Sequence, residues 1–110
     1  MTSIAKAFVE KAISNNPVTV FSKSFCPFCK AAKNTLTKYS APYKAYELDK
    51  IENGSDIQAY LHEKTKQSTV PSIFFRNQFI GGNSDLNKLR SSGTLTKMIA
   101  ELKENKSSIL

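Results

Sequence analysis

The segment Val18–Cys29, VTVFSKSFCPFC, joins a short run of β-branched and aromatic residues to two cysteines with the spacing Cys-x-x-Cys. The run Val18–Phe21 predicts a short buried strand. Pro27 suits the first position of a helix, because its missing N–H would have no partner there. The cysteine pair therefore lies where a strand is predicted to lead into a helix that opens at Cys26-Pro27. In an intracellular chain this setting indicates redox chemistry.

Elements on either side extend this strand-to-helix unit into an alternating α/β pattern. The further predicted elements are a helix over 4–15, a strand over 43–48, a helix from Ser55 to about Lys64 that begins with a capping-box spacing, strands over 72–75 and 79–80, a helix that Asn83 or Ser84 caps and that reaches about Arg90, and a helix near 95–103. The first two strands are joined by a helix and are expected to be parallel, and the last two are joined by a tight turn and are expected to be antiparallel. The predicted fold is a four-stranded mixed sheet flanked by helices on both faces, which is the arrangement of the thioredoxin fold.

Size and composition indicate one globular domain. The chain has 110 residues, of which 40% are hydrophobic and 23% charged, so we expect a single domain over residues 1–110 with one modest core. The sequence has no apolar run of about 18 residues that would span a membrane. Its first residues lack the apolar core of a secretory signal, and with Glu10 and no Arg they match a mitochondrial transit peptide poorly. We therefore expect a cytoplasmic monomer, while a mitochondrial or other organellar pool stays open.

The charge balance is basic. The chain has 16 Lys and Arg residues against 9 Asp and Glu residues, a net charge of +7, which favours acidic partners through long-range attraction. The lysines are scattered along the chain, as they are on solvated helix faces. No basic cluster is interleaved with aromatic residues, so neither a nucleic acid nor a membrane is an expected partner.

Cys26 and Cys29 are not chemically equivalent in this pattern. The thiolate is the nucleophile in thiol–disulfide exchange, and the unpaired N–H groups of a helix N-terminus favour it. Cys26 would occupy such an N-terminus, where Lys23 and Lys30 would add positive charge. Cys29 lies one turn deeper, on the apolar stripe of the helix. Cys26 is therefore the predicted attacking thiol, and Cys29 the predicted resolving thiol.

The cysteine pair also allows other interpretations, which its sequence context disfavours to different degrees. A structural disulfide is a poor explanation, since a bridge across so short a loop constrains the unfolded chain little. Cys29 by itself also fits a packed core cysteine. Zinc needs about four nitrogen or sulfur ligands, and His62 is the single histidine of the sequence. A zinc site within one chain is therefore disfavoured, while a site shared between two chains stays open.

Three motifs, in order along the chain, resemble those of the dithiol glutaredoxins. They are Lys23–Lys30 (KSFCPFCK), Gln67–Pro71 (QSTVP) and Gly81–Leu86 (GGNSDL), and the resemblance extends from about Val18 to Leu102. Thioredoxins usually have Trp before the first cysteine and Gly-Pro between the two, whereas this chain has no Trp and has Pro27-Phe28 between them. The resemblance implies an enzyme that uses glutathione as co-substrate, with no tightly bound cofactor and no metal. It also implies a cis peptide bond before Pro71.

The resemblance further implies a glutathione site. Lys23 and Gln67 would hold the glycine carboxylate, the N–H groups of residues 83–85 the γ-glutamyl carboxylate, and Asp85 the ammonium. The Val70 backbone would pair with the glutathione cysteine, beside an apolar wall formed by Phe28. The full implied set is Lys23, Phe28, Gln67, Thr69, Val70, Pro71, Gly82, Asn83, Ser84 and Asp85. Simpler interpretations stay open, namely a helix cap at 83–85, an ordinary strand entry at 70–71 and a solvated lysine at 23.

The expected reaction is the reduction of glutathione mixed disulfides and of some protein disulfides. Cys26 would take up the glutathionyl group and a second glutathione would release it, while Cys29 would be needed only for a protein disulfide. Two other functions stay open. One is a dimer that binds a 2Fe–2S cluster with the help of glutathione, which Pro27 disfavours because cluster-binding members usually have Gly or Ser at that position. The other is a thioredoxin-like module that binds partners without turnover.

Overall fold

Helices and strands alternate along the chain in the predicted order. The structure is a computed structural model that describes the backbone of residues 3–109 and the side chains of residues 4–104. Its elements are α1 (Ser3–Asn15), β1 (Val18–Ser22), α2 (Pro27–Lys38), β2 (Tyr43–Glu47), a 3₁₀ turn (Leu48–Lys50), α3 (Gly54–Thr65), β3 (Ser72–Phe75), β4 (Gln78–Gly81), α4 (Asn83–Ser91) and α5 (Thr94–Ile109). Every predicted helix and strand is present, and the largest difference in length is that α5 extends well beyond the predicted end at Lys103.

The four strands form one mixed sheet in the order β2-β1-β3-β4. Strand β1 is parallel to β2 and antiparallel to β3, which in turn is antiparallel to β4. The parallel pairing predicted for the first two strands and the antiparallel pairing predicted for the last two are confirmed, whereas the antiparallel pairing of β1 with β3 was not predicted. All five residues of β1 are buried. The loop that leaves its carboxyl end starts from the middle of the sheet.

Helices cover both faces of this sheet, as predicted. Val18 and Val20 of β1 pack with α2, α4 and α5 on one face, and Leu36 and Leu95 belong to that cluster. Phe21 points to the other face and packs with α1 and α3. Successive residues of a strand point to opposite faces of the sheet. The sequence of a strand that is covered on both faces is therefore a continuous apolar run. Among the residues described, no helix is long and apolar enough to cross a membrane.

The start of α3 differs from the predicted capping box at Ser55. The helix begins one residue earlier, at Gly54, and Asn53 occupies the N-cap without a side-chain hydrogen bond to the helix. A Cβ atom on Gly54 would lie 1.8 Å from the carbonyl oxygen of Leu48. The helix therefore starts where it can pack closely against the 3₁₀ turn, a contact that outweighs the local capping preference of Ser55.

Candidate active site

The two cysteines lie at the carboxyl end of β1, in the first turn of α2. Cys26 is the N-cap residue of the helix, with Pro27 directly after it, as the sequence predicts. The Cys26 sulfur accepts a hydrogen bond from the backbone N–H of Cys29 at 3.3 Å. Cys26 is partly exposed, whereas Cys29 is completely buried. The predicted division into an accessible and a packed thiol is therefore confirmed.

The surroundings of the two sulfurs shift their pKa values in opposite directions. Burial raises the pKa of Cys26, but hydrogen bonds from the Cys29 side chain and from the N–H groups of Cys29 and Phe28 outweigh it, aided by the Lys23 charge. The net result is a pKa for Cys26 below the ordinary cysteine value. For Cys29, burial and then its hydrogen bond to Cys26 raise the pKa. Of the two thiols, Cys26 is therefore the one that loses its proton more readily.

The loop that carries Cys26 is anchored to the 3₁₀ turn by Ser24. The Asp49 carboxylate accepts hydrogen bonds from the Ser24 backbone N–H at 2.9 Å and from its hydroxyl at 2.5 Å. These hydrogen bonds from Ser24 lower the pKa of Asp49, so the carboxylate stays ionised around neutral pH. The Cys26 N–H in turn donates to the Lys23 carbonyl at 3.1 Å. Sequence reasoning did not identify Asp49, since no local pattern links it to residues so far back in the chain.

A cavity of about 570 Å³ opens beside Cys26, between the turn that precedes β3 and the start of α4. Its lining residues are Phe28, Gln67, Thr69, Val70, Pro71, Gly82, Asn83, Ser84, Asp85 and Asn87. Of the residues predicted to bind glutathione, the structure brings together all except Lys23, which lies beside Cys26 instead. Asn87 was not identified from the sequence, although its position one helical turn after Asn83 is a signal for it.

The turn before β3 forms one wall of the cavity. The peptide bond between Val70 and Pro71 is cis, as the resemblance implies. The Cys26 sulfur lies 3.9 Å from the Val70 carbonyl oxygen, so the thiol is at the edge of the cavity. The Gln67 amide nitrogen donates to the carbonyl oxygens of Thr69 and Pro71 at 3.1 and 3.2 Å. A primary amide has two N–H donors, so Gln67 already uses both to hold this turn together.

The first turn of α4 forms the opposite wall. Neither Asn83 nor Ser84 caps this helix as predicted, because Gly82 occupies the N-cap. The capping hydrogen bond is instead made by Asp85, whose Oδ2 accepts the Gly82 N–H at 3.0 Å. The preceding Gly81 has a φ of +122°, and a Cβ atom on it would lie 2.2 Å from that same oxygen. The residue pair Gly81-Gly82 thus allows the chain to turn tightly into the helix and lets Asp85 reach back over it.

The start of α4 also presents unused hydrogen-bonding groups to the cavity. The N–H groups of its first turn have no acceptor within the helix. The side-chain oxygen of Asn83 is buried, and within the described residues it has no hydrogen-bond partner. A cavity with free N–H donors at a helix N-terminus favours an anionic group in a ligand.

An accessible thiol of lowered pKa above a buried second thiol, on a thioredoxin fold, defines a dithiol–disulfide oxidoreductase. Comparison with known proteins shows which family of these oxidoreductases the chain resembles. The glutaredoxin family model matches residues 18–80. Glutaredoxin-1 of Rhizophagus irregularis is 52% identical over 94 residues, covering 86% of this chain and 93% of the relative. A glutaredoxin of Solanum lycopersicum is 46% identical over 99 residues, covering 90% of each.

A comparison with solved structures also finds similarity to glutaredoxins. The crystal structure of a buckwheat glutaredoxin–glutathione complex superimposes with a TM-score of 0.89 at 33% identity, covering 91% of each chain. The chain belongs to the glutaredoxin family. It is therefore a glutathione-dependent disulfide oxidoreductase.

Proposed function

We propose that this enzyme removes glutathione from mixed disulfides, with Cys26 as the nucleophile. The observation that carries the proposal is the position of the Cys26 sulfur, partly exposed at the N-cap of α2 and at the edge of the cavity. Its thiolate attacks the glutathione sulfur, the S–S bond of the substrate breaks, and the target thiol leaves. The thiolate of a second glutathione then attacks the glutathione sulfur bound to Cys26 and leaves as glutathione disulfide, which restores Cys26.

The cavity supports glutathione as the ligand in this reaction. The first-turn N–H groups of α4 would bind the γ-glutamyl carboxylate. Asp85 uses Oδ2 for the cap, which leaves Oδ1 for the ammonium, and the unpaired oxygen of Asn83 would accept from the same group. Phe28 lines the cavity and is 66% exposed, so part of its ring would be covered by the ligand. The buckwheat relative whose structure is similar forms a complex with glutathione.

We propose that the glycine carboxylate of glutathione binds mainly to Lys23 and less to Gln67. Both amide donors of Gln67 are engaged with backbone carbonyls of the cis-proline turn. Gln67 would have to release one of them to bind a carboxylate. Its main part in the proposed site is therefore to position Thr69, Val70 and Pro71.

A protein disulfide would be reduced by a route that uses both thiols. Cys26 attacks one sulfur of the substrate, and Cys29 then attacks Cys26 from below, forming the Cys26–Cys29 disulfide and releasing the second substrate thiol. Glutathione reduces the enzyme disulfide afterwards. The complete burial of Cys29 directly beneath Cys26 supports this assignment.

The proposed function is tested by the reduction of a glutathione mixed disulfide, coupled to glutathione reductase and NADPH. Wild type is compared with Cys26→Ser and Cys29→Ser, which are matched single-atom changes at the two thiols. We expect turnover to fall by at least about a thousandfold in Cys26→Ser, because the covalent route is lost, and to persist in Cys29→Ser. Absent turnover in wild type would contradict the proposal. Visible absorption after anaerobic purification would then favour a cluster-binding protein.

A further inference from the structure

Two exposed aromatic residues, Phe25 and Phe28, lie close to the nucleophile in the chain. Among the described side chains, the large hydrophobic residues that are exposed are Ile4 at 67%, Phe25 at 73% and Phe28 at 66%. Single exposed apolar residues are common on protein surfaces, whereas a group of them beside polar residues marks an interaction site. Two of these three residues are within two positions of Cys26, so the surface around the thiol has this character.

The proposed glutathione site accounts for Phe28 but not for Phe25. Phe28 lines the cavity together with Val70 and Pro71, and of the two exposed aromatic side chains only Phe28 does so. A glutathione molecule in the cavity would therefore leave the Phe25 ring in water. Covering that ring requires a second group, which approaches Cys26 from outside the cavity.

The backbone that carries Phe25 is held in one conformation. The Cys26 N–H donates to the Lys23 carbonyl at 3.1 Å. This hydrogen bond closes a β-turn with Ser24 and Phe25 at its two central positions. Ser24 is bound to Asp49 through both its N–H and its hydroxyl. A side chain on an anchored turn loses less conformational freedom when a partner binds, so more of its contact energy contributes to affinity.

The two-thiol route of the proposed function, on which this inference rests, brings such a group to Cys26. When the Cys26 thiolate attacks a protein disulfide, a new S–S bond joins it to one substrate cysteine, the substrate S–S bond breaks, and the other substrate thiolate leaves. The two Cα atoms across a disulfide are about 4.4–6.8 Å apart, and neighbouring Cα atoms in a chain are about 3.8 Å apart. The residues next to the substrate cysteine thus lie within reach of the Phe25 ring.

The charges around this turn favour an acidic substrate segment. The Lys23 ammonium is close enough to Cys26 to act on its thiolate. Lys30 is exposed near the start of α2, and the whole chain has a net charge of +7. The Asp49 carboxylate, which also contacts the turn, is already bound to Ser24. Charges act over about 8–10 Å at physiological ionic strength, so acidic residues near the substrate cysteine would be attracted by these lysines.

We propose that Phe25 is a specificity-determining residue for protein disulfides, and that it binds a large apolar side chain directly beside the substrate cysteine, in a segment that also carries acidic residues. The contact forms together with the new S–S bond between Cys26 and the substrate. It therefore speeds the capture of those substrates that have the apolar side chain. Phe25 itself transfers neither electrons nor protons.

The test measures the capture of model substrates on Cys26. Each substrate is a homodimer of a short peptide joined by one disulfide, so its two sulfurs are equivalent. The first peptide has Leu directly before its cysteine and Glu after it, the second has Gly in place of Leu, and the third has Lys in place of Glu. The enzyme carries Cys29→Ser so that the adduct accumulates. Acid quenching followed by intact mass measures the second-order rate of adduct formation.

We expect the enzyme with Cys29→Ser alone to capture the Leu peptide about five- to tenfold faster than the Gly peptide, the ratio that burial of roughly 40–55 Å² of apolar surface gives. Adding Phe25→Ala should lower this ratio below about twofold. Phe25→Leu keeps an apolar side chain and should retain most of the ratio. The ratio compares two substrates on one enzyme, so any change in the reactivity of Cys26 cancels.

Ile4→Ala is the matched control, since it removes a similarly exposed apolar side chain from the first turn of α1. It should leave the ratio unchanged. The peptide with Lys in place of Glu should react at least about threefold more slowly, and the difference should shrink at high salt, as expected for attraction between exposed charges. Thermal unfolding establishes that each variant is folded.

Four results would overturn the proposal. One is an unchanged ratio in Phe25→Ala, and another is an equal loss in Ile4→Ala, which would indicate general surface hydrophobicity. Equal capture of the Glu and Lys peptides would exclude an acidic substrate segment. A dimer of the free enzyme that Phe25→Ala abolishes in analytical ultracentrifugation would assign this surface to a second copy of the chain.

Failure of the proposed function gives a different result from failure of this proposal. In that case no adduct would form on Cys26 with any disulfide, glutathione disulfide included.

Discussion

Helices α2 and α4 both begin beside the same cavity, but they use their N-termini differently. At α2 the N-cap is Cys26, whose own sulfur accepts the Cys29 N–H. At α4 the N-cap is Gly82, which has no side chain, and Asp85 reaches back to take its N–H. The N-terminus of α2 thus stabilises the reactive thiolate, while that of α4 keeps N–H groups and space for a ligand.

In the proposed mechanism, one physical feature, the positive end of a helix, serves two steps of the reaction according to the residue at the cap. When the N-cap residue is a cysteine, the helix N-terminus stabilises the thiolate that reacts. A glycine at the cap leaves the first turn open, so that the helix can bind the charge of a substrate. Each of the following predictions changes one of the two helix starts.

The largest effect is expected for Gly81→Ala, at the start of α4. The new Cβ would collide with the Asp85 carboxylate at a φ of +122°. The change should lower the free energy of unfolding by roughly 2–4 kcal/mol, from backbone strain and loss of the cap. It should also raise the KM for a glutathione mixed disulfide. Chemical denaturation and steady-state kinetics measure the two effects.

Gly93→Ala is the matched control for this change. Gly93 also has a positive φ, +81°, but a Cβ atom there would meet nothing within 4 Å. We expect it to cost about 1–2 kcal/mol from left-handed strain alone and to leave KM unchanged. An equal rise of KM in both variants would show that general destabilisation, and not the α4 cap, weakens binding.

A smaller effect is expected for Asp85→Asn. The amide oxygen can still accept the Gly82 N–H, so the helix should remain capped, but the charge that we propose binds the glutathione ammonium is lost. A charge-assisted hydrogen bond contributes about 1.5–3 kcal/mol, so KM should rise about tenfold or more, with kcat little changed. Asp56→Asn removes an exposed carboxylate from the first turn of α3, and it should leave KM unchanged. Equal KM values for the two variants would remove Asp85 from the proposed site.

The smallest effect is expected at the start of α2 for Lys23→Gln. Burial raises the pKa of Cys26, and hydrogen bonds with Cys29 and Phe28 and the Lys23 charge lower it. Without that charge the pKa of Cys26 should move up, so the thiolate would form at higher pH. The pH dependence of iodoacetamide alkylation, measured in a Cys29→Ser background, follows this change. Lys30→Gln removes an equal charge from an exposed lysine, and a shift as large as that of Lys23→Gln would contradict a specific effect of Lys23.

The sequence was informative about α2 because its signals are local. Pro27 predicts the start of the helix, and the position of Cys29 on its apolar stripe predicts the buried face. The structure confirms both, and the buried face consists of Cys29, Ala32 and Leu36. The N-cap of α4 was predicted at Asn83 or Ser84, one or two residues after its position at Gly82. Asn83 and Ser84 are strong capping residues, but the two glycines before them allow a tighter turn in which Asp85 makes the cap. The capping preference of Asn83 and Ser84 is therefore outweighed by a backbone geometry that only glycine permits.

The sequence by itself determined the order of helices and strands along the chain, the parallel pairing of the first two strands and the antiparallel pairing of the last two. It also determined the helix that begins at Cys26-Pro27 and the chemical inequality of the two thiols. These follow from periodicity and from spacings within one or two helical turns. Three other features were decided only by the tertiary structure. Asp49 anchors Ser24, and the amide donors of Gln67 bind carbonyl oxygens of the cis-proline turn. Glu47 joins Ser22 to Lys33. The carboxylate contacts join residues distant in the chain, and their geometry depends on how strands and helices pack together.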